Sequence, residues 1–122
     1  MRSPALLAAL LAATALIACA DTPPAEAGLP TVQRLALTDA AKRSGLPVSA
    51  LTVVSAEALV WPDGSLGCPQ PGRMYTQALV PGYRVRIQAG TALLSYHAGA
   101  STEAALCPAP QARAPLPPDL LR

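Results

Sequence analysis

Four side chains in this chain have chemistry beyond packing: Cys19, Cys68, Cys107 and the sole histidine, His97. A thiol beside an imidazole is the pairing of a nucleophile with its general base, so Cys68 with His97 is a candidate nucleophilic site. No motif places an oxyanion hole near it, however, and a free thiolate at Cys68 would have to survive oxidation beside Cys107. Zinc is a second use for the same atoms, but two cysteines and one histidine leave a fourth ligand to be found among scattered carboxylates. The third use is a bridge between Cys68 and Cys107. The sequence therefore nominates no catalytic residue, no metal site and no cofactor, and the choice among these options depends on the compartment in which the thiols reside.

The start of the chain supplies that compartment. After Met1-Arg2 an uncharged stretch rich in Ala and Leu runs from Ser3 to Ala20 and contains Leu16-Ile17-Ala18-Cys19. These residues resemble a bacterial lipoprotein signal peptide ending in a lipobox, which implies cleavage before Cys19 and acylation of its thiol. An uncleaved membrane-spanning anchor is the competing reading, but the Ala-rich stretch is only mildly apolar and no basic cluster follows it. The resemblance implies a protein anchored in the cell envelope by palmitate-type chains, outside the cytoplasm. Ala20 and Asp21 after the cysteine favour the outer membrane.

Export brings an oxidising environment, and using Cys19 as the lipid attachment leaves two thiols, so Cys68 and Cys107 are expected to form a disulfide. Closing a loop of about 40 residues stabilises by roughly 4 kcal/mol in the chain-entropy account. A small domain with little to bury needs such a staple. Only 3% of the 122 residues are aromatic and none is Phe, against 52% hydrophobic residues dominated by Ala. The net charge of +2 comes from dispersed Arg residues and carries no basic block, which excludes a nucleic-acid partner. The excess of Ala, Arg over Lys, and Pro reflects a GC-rich bacterial coding sequence, not a function.

The elements that would position these residues are few. Residues 19–30, with three prolines, read as an extended tether behind the signal peptide of residues 1–18. Val32, Leu35, Ala36 and Ala40 share one helical face, and Gly45 with Pro47 ends the pattern, predicting a helix from about Thr31 to Ser44. Leu51 to Trp61 reads as a half-buried strand, with Val54, Ala56, Ala58 and Val60 inward and Ser55 and Glu57 outward. A Gly/Pro-rich loop from Pro62 to about Arg73 leads to a second strand, where Tyr83, Val85 and Ile87 alternate with Arg84, Arg86 and Gln88. Ala89-Gly90 turns the chain into a third strand, Thr91 to His97, with Leu94 and Tyr96 on its buried face and a short strand, Glu103 to Cys107, following. Residues 31–107 are thus expected to form an α+β domain: one helix on three or four antiparallel strands. The five prolines between Pro108 and Arg122 predict a disordered or polyproline-like tail, and its Pro115/Pro118 spacing has no SH3-type partner outside the cytoplasm.

Residues 36–107 resemble a small domain of unknown function that recurs in secreted and lipid-anchored bacterial proteins. The resemblance rests on the run from Trp61 through Pro62-Asp63-Gly64-Ser65-Leu66-Gly67-Cys68-Pro69-Gln70-Pro71-Gly72, then Met74-Tyr75-Thr76-Gln77, Pro81-Gly82-Tyr83-Arg84-Val85, Tyr96-His97 and Cys107. Leu94, where that pattern tends to carry Tyr, and the Ala-rich run from Gly99 to Ala105 depart from it. The resemblance implies a fold and no activity.

The loop itself suggests a use. A Gly/Pro-rich segment pinned at Cys68 is pre-organised, and pre-organised loops suit recognition because little entropy is left to lose. The candidate binding residues are Trp61, Asp63, Leu66, Arg73, Met74 and Tyr75, with Tyr83, Arg84, Tyr96 and His97 as secondary candidates. The first expectation is a non-enzymatic, monomeric binding module with an envelope or extracellular protein as partner. The second is a small peptidase inhibitor presenting the 62–76 loop, with Leu66, Arg73 or Met74 as its specificity residue. Each residue also has a plainer role: Trp61 as a core or rim aromatic, Asp63-Gly64 as a turn, His97 as an exposed hydrogen-bonding side chain, and Arg84 with Arg86 as a solvated strand face.

Overall fold

The computed structural model describes residues 27–100 and 103–121. Cys19 and the segment read as signal peptide lie outside the described residues. Helix α1 spans Leu29–Ser44, with Pro30 in its first turn, where a missing N–H costs nothing. Lys42 and Arg43 sit in the last turn against the negative end of the helix dipole, and Gly45 closes it at φ 70°, its N–H bonded to the Ala41 carbonyl. A single 3₁₀ turn, Val48–Ala50, leads into strand β1, Leu51–Trp61. Strands β2 (Val80–Ala89), β3 (Ala92–Ala98) and β4 (Ala105–Cys107) follow. All neighbours pair antiparallel in the order β1-β2-β3-β4, a meander with α1 across one face.

The period of two in β2 positions the core. Tyr83, Val85 and Ile87 are buried beneath Val32, Ala36 and Ala40 of the helix, and Tyr96 and Ala98 join them from β3. The three small or β-branched helix residues let α1 lie close to the sheet, so a core with few aromatics still closes. Tyr96 is fully buried, and its hydroxyl donates to Asp39 of α1 at 2.8 Å. Burial opposes ionisation of Asp39, yet the bonds from Arg43 and Tyr96 hold its carboxyl below the usual range. Burial and the neighbouring Asp39 carboxylate in turn push the Tyr96 phenol up.

Two expectations from the sequence are corrected. Val54 does not face the core: a bulge between Val53 and Ser55 shifts the register, leaving Val54 55% exposed while Val53, Ala56 and Ala58 pack on the helix side. Of the two readings of the tail, disordered or polyproline-like, the disordered one does not hold for residues 108–121. They turn back after β4 and cross the face of the sheet opposite α1, donating from Arg113 N–H to the Gly67 carbonyl at 2.8 Å and from Leu116 N–H to the Val60 carbonyl at 2.9 Å. A 3₁₀ turn, Pro118–Leu121, ends the described chain. Prolines exclude this strap from any ladder but leave its few N–H groups free for such isolated bonds.

Candidate functional site

The face of the sheet turned away from α1 carries the distinctive residues. Trp61 ends β1 and is fully buried, its indole N–H donating to the Ala98 carbonyl at 3.0 Å. It lies over Gly82, where an added Cβ would sit 2.9 Å from the indole ring, so only glycine admits the ring there. His97 stacks against it with ring centroids 4.6 Å apart. His97 is 3% exposed, which corrects its reading as an exposed residue. The loop has folded over it: its Nδ1 lies 2.7 Å from the Leu66 carbonyl and its Nε2 3.0 Å from the Ser95 hydroxyl.

A carbonyl only accepts, so Nδ1 carries the proton, Nε2 is the acceptor, and Ser95 donates to it. The ring is therefore held neutral in one tautomer. Burial, joined by the Arg84 charge, pulls its pKa below the ordinary histidine value, against the opposing effect of the Leu66 bond. A histidine so committed on both nitrogens has no lone pair to offer a substrate, and Cys68 is bonded to Cys107 across 39 residues with Cα atoms 5.7 Å apart. The Cys68 and His97 nucleophilic pairing is not formed. Among the described residues no three His, Cys, Asp or Glu side chains cluster to hold a metal ion, and no helix is long and apolar enough to cross a membrane.

The loop is built in two tiers. At its base Asp63 accepts the Ser65 N–H at 2.8 Å in an Asx turn, and the Gly64 N–H reaches the Thr76 carbonyl at 2.8 Å; the Ser65 side chain, joined by its N–H, holds the Asp63 carboxyl below its ordinary pKa. Leu66 and Gly67 follow in consecutive left-handed conformations, φ 55° and 68°. For Leu66 that conformation costs about 1 kcal/mol or more, offset by aiming its carbonyl at the buried imidazole. The upper tier, from Cys68 to Tyr75, is braced by Arg73 N–H to the Gln70 carbonyl at 3.2 Å and by Gln70 N–H to the Tyr75 hydroxyl at 3.0 Å. Met74 stands at its tip with 98% of its surface exposed, next to exposed Arg73.

The candidates from the sequence therefore divide. Arg73 and Met74 are presented to solvent, and Tyr75 is half-buried as their brace. Trp61, Asp63 and Leu66 hold the base together, with Trp61 inaccessible to any partner. Tyr83 lies buried in the core near the start of the helix, where its hydroxyl fills the space a Gly28 side chain would need. Arg84 pairs with Glu57 through two bonds of 2.9 and 2.6 Å to one carboxylate oxygen. Two residues join the site that sequence reasoning left aside, Ser95 and Arg113. Ser95 was signalled by its strand parity with His97, whereas nothing in the Ala/Pro pattern around Arg113 announces its place.

A helix on an antiparallel meander, its second face closed by a disulfide-pinned loop and a proline-rich strap, defines an α+β domain. Residues 33–107, more than half of the chain, match the family described as a domain of unknown function (DUF8738), and the chain belongs to that family. No curated protein and no solved structure matches it.

Proposed function

We propose that this chain is a cell-envelope lipoprotein, acylated at Cys19 and held outside the cytoplasm, whose domain binds another envelope or extracellular protein without catalysing a reaction. The observation that carries the binding reading is the braced tip of the 62–76 loop. A long apolar side chain, Met74, is kept wholly in solvent on a segment fixed by the disulfide, by Gly72 in the left-handed region and by the Tyr75 hydroxyl. Burying Met74 against a partner would recover apolar surface, and little loop entropy remains to oppose it. The exposed Arg73-Met74 pair also keeps the inhibitor reading in view, with a peptidase as the bound protein. Leu66 leaves that reading, because its left-handed backbone does not suit an extended, substrate-like segment.

One experiment addresses both halves. The full chain carrying a photo-crosslinking residue at position 74, or at exposed Val48 as a control, is expressed in cells fed a fatty-acid probe. The expected result is a labelled chain, label lost in Cys19→Ala, and a discrete cross-linked adduct from position 74 alone. Label persisting in Cys19→Ala would sink the anchor, and equal cross-linking from both positions would sink the loop as a contact surface. An adduct containing a peptidase would favour the inhibitor reading.

A further inference from the structure

Beneath the strap, away from the loop tip, the sheet face opposite α1 carries a second feature. The register sets Glu57, Arg84 and His97 in one row across the strands and Ser55, Arg86, Ser95 and Cys107 in the next. Arg84 and Arg86, two apart on β2, therefore project from the same face. The strap brings Arg113 over them, and together with Ser95, His97 and Cys107 they line a cleft of about 320 Å³.

The charges in this cleft do not balance. Glu57 takes Arg84, but among the described residues neither Arg86 nor Arg113 has a carboxylate partner. Arg86 uses Nε on the Ser55 hydroxyl at 2.8 Å, and Arg113 uses one terminal nitrogen on the Pro110 and Ala112 carbonyls, which leaves guanidinium N–H groups of both unassigned to protein acceptors. His97 cannot offset them, being neutral. Three guanidinium groups against one carboxylate leave two positive charges gathered in a partly enclosed space. That surplus gives the cleft a positive field that draws an anion, with Arg113 at its solvent-exposed rim.

We propose that the cleft between β2, β3 and the strap is a binding site for a phosphate monoester or free phosphate, gripped by Arg86 and Arg113 with Arg84 contributing its field. The volume is at the low end for small-molecule sites and admits a single anionic group with a short substituent. Phosphate supplies the matching double charge and enough acceptor oxygens for separate guanidinium forks. The proposal is independent of what the loop tip binds.

Calorimetric titration of the full chain in detergent with inorganic phosphate, and separately with dihexanoyl phosphatidate below its micelle concentration, tests it. Saturable one-to-one binding is expected, weakened about tenfold or more by Arg86→Gln and by Arg113→Gln and unchanged by Arg73→Gln on the loop. Arg113 is exposed, so its variant reports on binding even if Arg86→Gln perturbs folding. Tighter binding of the lipid would assign a headgroup as the source, and equal binding would assign the free anion. No saturation up to about 10 mM of either probe, succinate binding more tightly than phosphate, or equal loss with Arg73→Gln would overturn the site.

Discussion

His97 concentrates the physics of this domain in one ring. Both of its nitrogens are satisfied only in the neutral form with the proton on Nδ1, so gaining a second proton would force Ser95 to stop donating and a charge to sit beside Arg84. Its folded pKa lies below the ordinary 6.5, and the unfolded chain therefore takes up the proton first as pH falls. Stability from this residue is complete above that value and is lost as pH drops through it toward the folded pKa. Asp39 and Asp63, both held below the usual carboxylate pKa, keep their charges over the upper part of that window. Urea midpoints taken between about pH 7.5 and about pH 5 should fall for the native chain and hold nearly flat for His97→Gln, since it is the sole histidine. A native midpoint that does not move would mean the imidazole accepts its proton in place.

At the scale of the elements, β2 is the strand on which everything else depends, because it is covered on both faces by different partners. Ile87→Ala removes fully buried volume under α1 and should cost about 2 to 5 kcal/mol. Gly82→Ala pushes a methyl into the Trp61 indole and the Ala98 carbonyl, and should cost about 1 to 3 kcal/mol although it adds apolar surface. Arg84→Ala gives up a half-exposed ion pair and should cost no more than about 1 kcal/mol. Denaturant unfolding of the three variants checks this ordering.

These same elements mark where sequence is informative. The alternation in β2 and the Ala89-Gly90 turn into β3 are legible because the period of two is unbroken and the turn residue can take positive φ, as Gly90 does. In β1 the alternation continues on paper through Val54, but a bulge inserts one residue and reverses the parity before it; no side-chain type there announces the bulge. The disulfide follows from cysteine arithmetic once export is expected, whereas burial of His97 does not, because it depends on a loop whose backbone turns through two left-handed residues. Of the candidate site, the loop's position was readable and the split between its exposed tip and its buried base was not.

For the whole molecule the strap matters most. Residues 113 and 116 are three apart, the repeat of an extended polyproline-type chain, and so both can turn their N–H groups to the same side, onto Gly67 and Val60. A chain ending after Pro108 loses both bonds and the cover over the loop base. Its single tryptophan should become more accessible to acrylamide, its emission should shift to the red, and its unfolding midpoint should fall, while the circular dichroism of helix and sheet stays in place. Unchanged quenching would show that the loop alone shields Trp61.

The strap is synthesised after every residue it covers. During translation the helix, the meander and the disulfide partners all leave the ribosome with their second face still open, and the face closes only when residues 113 and 116 have emerged. Its bonds join positions 46 and 56 residues apart in sequence, separations whose loop-closure entropy must be met late in folding. The second face of the domain consequently stays open until the strap has been made, so the helix and the meander must hold together without it for that interval.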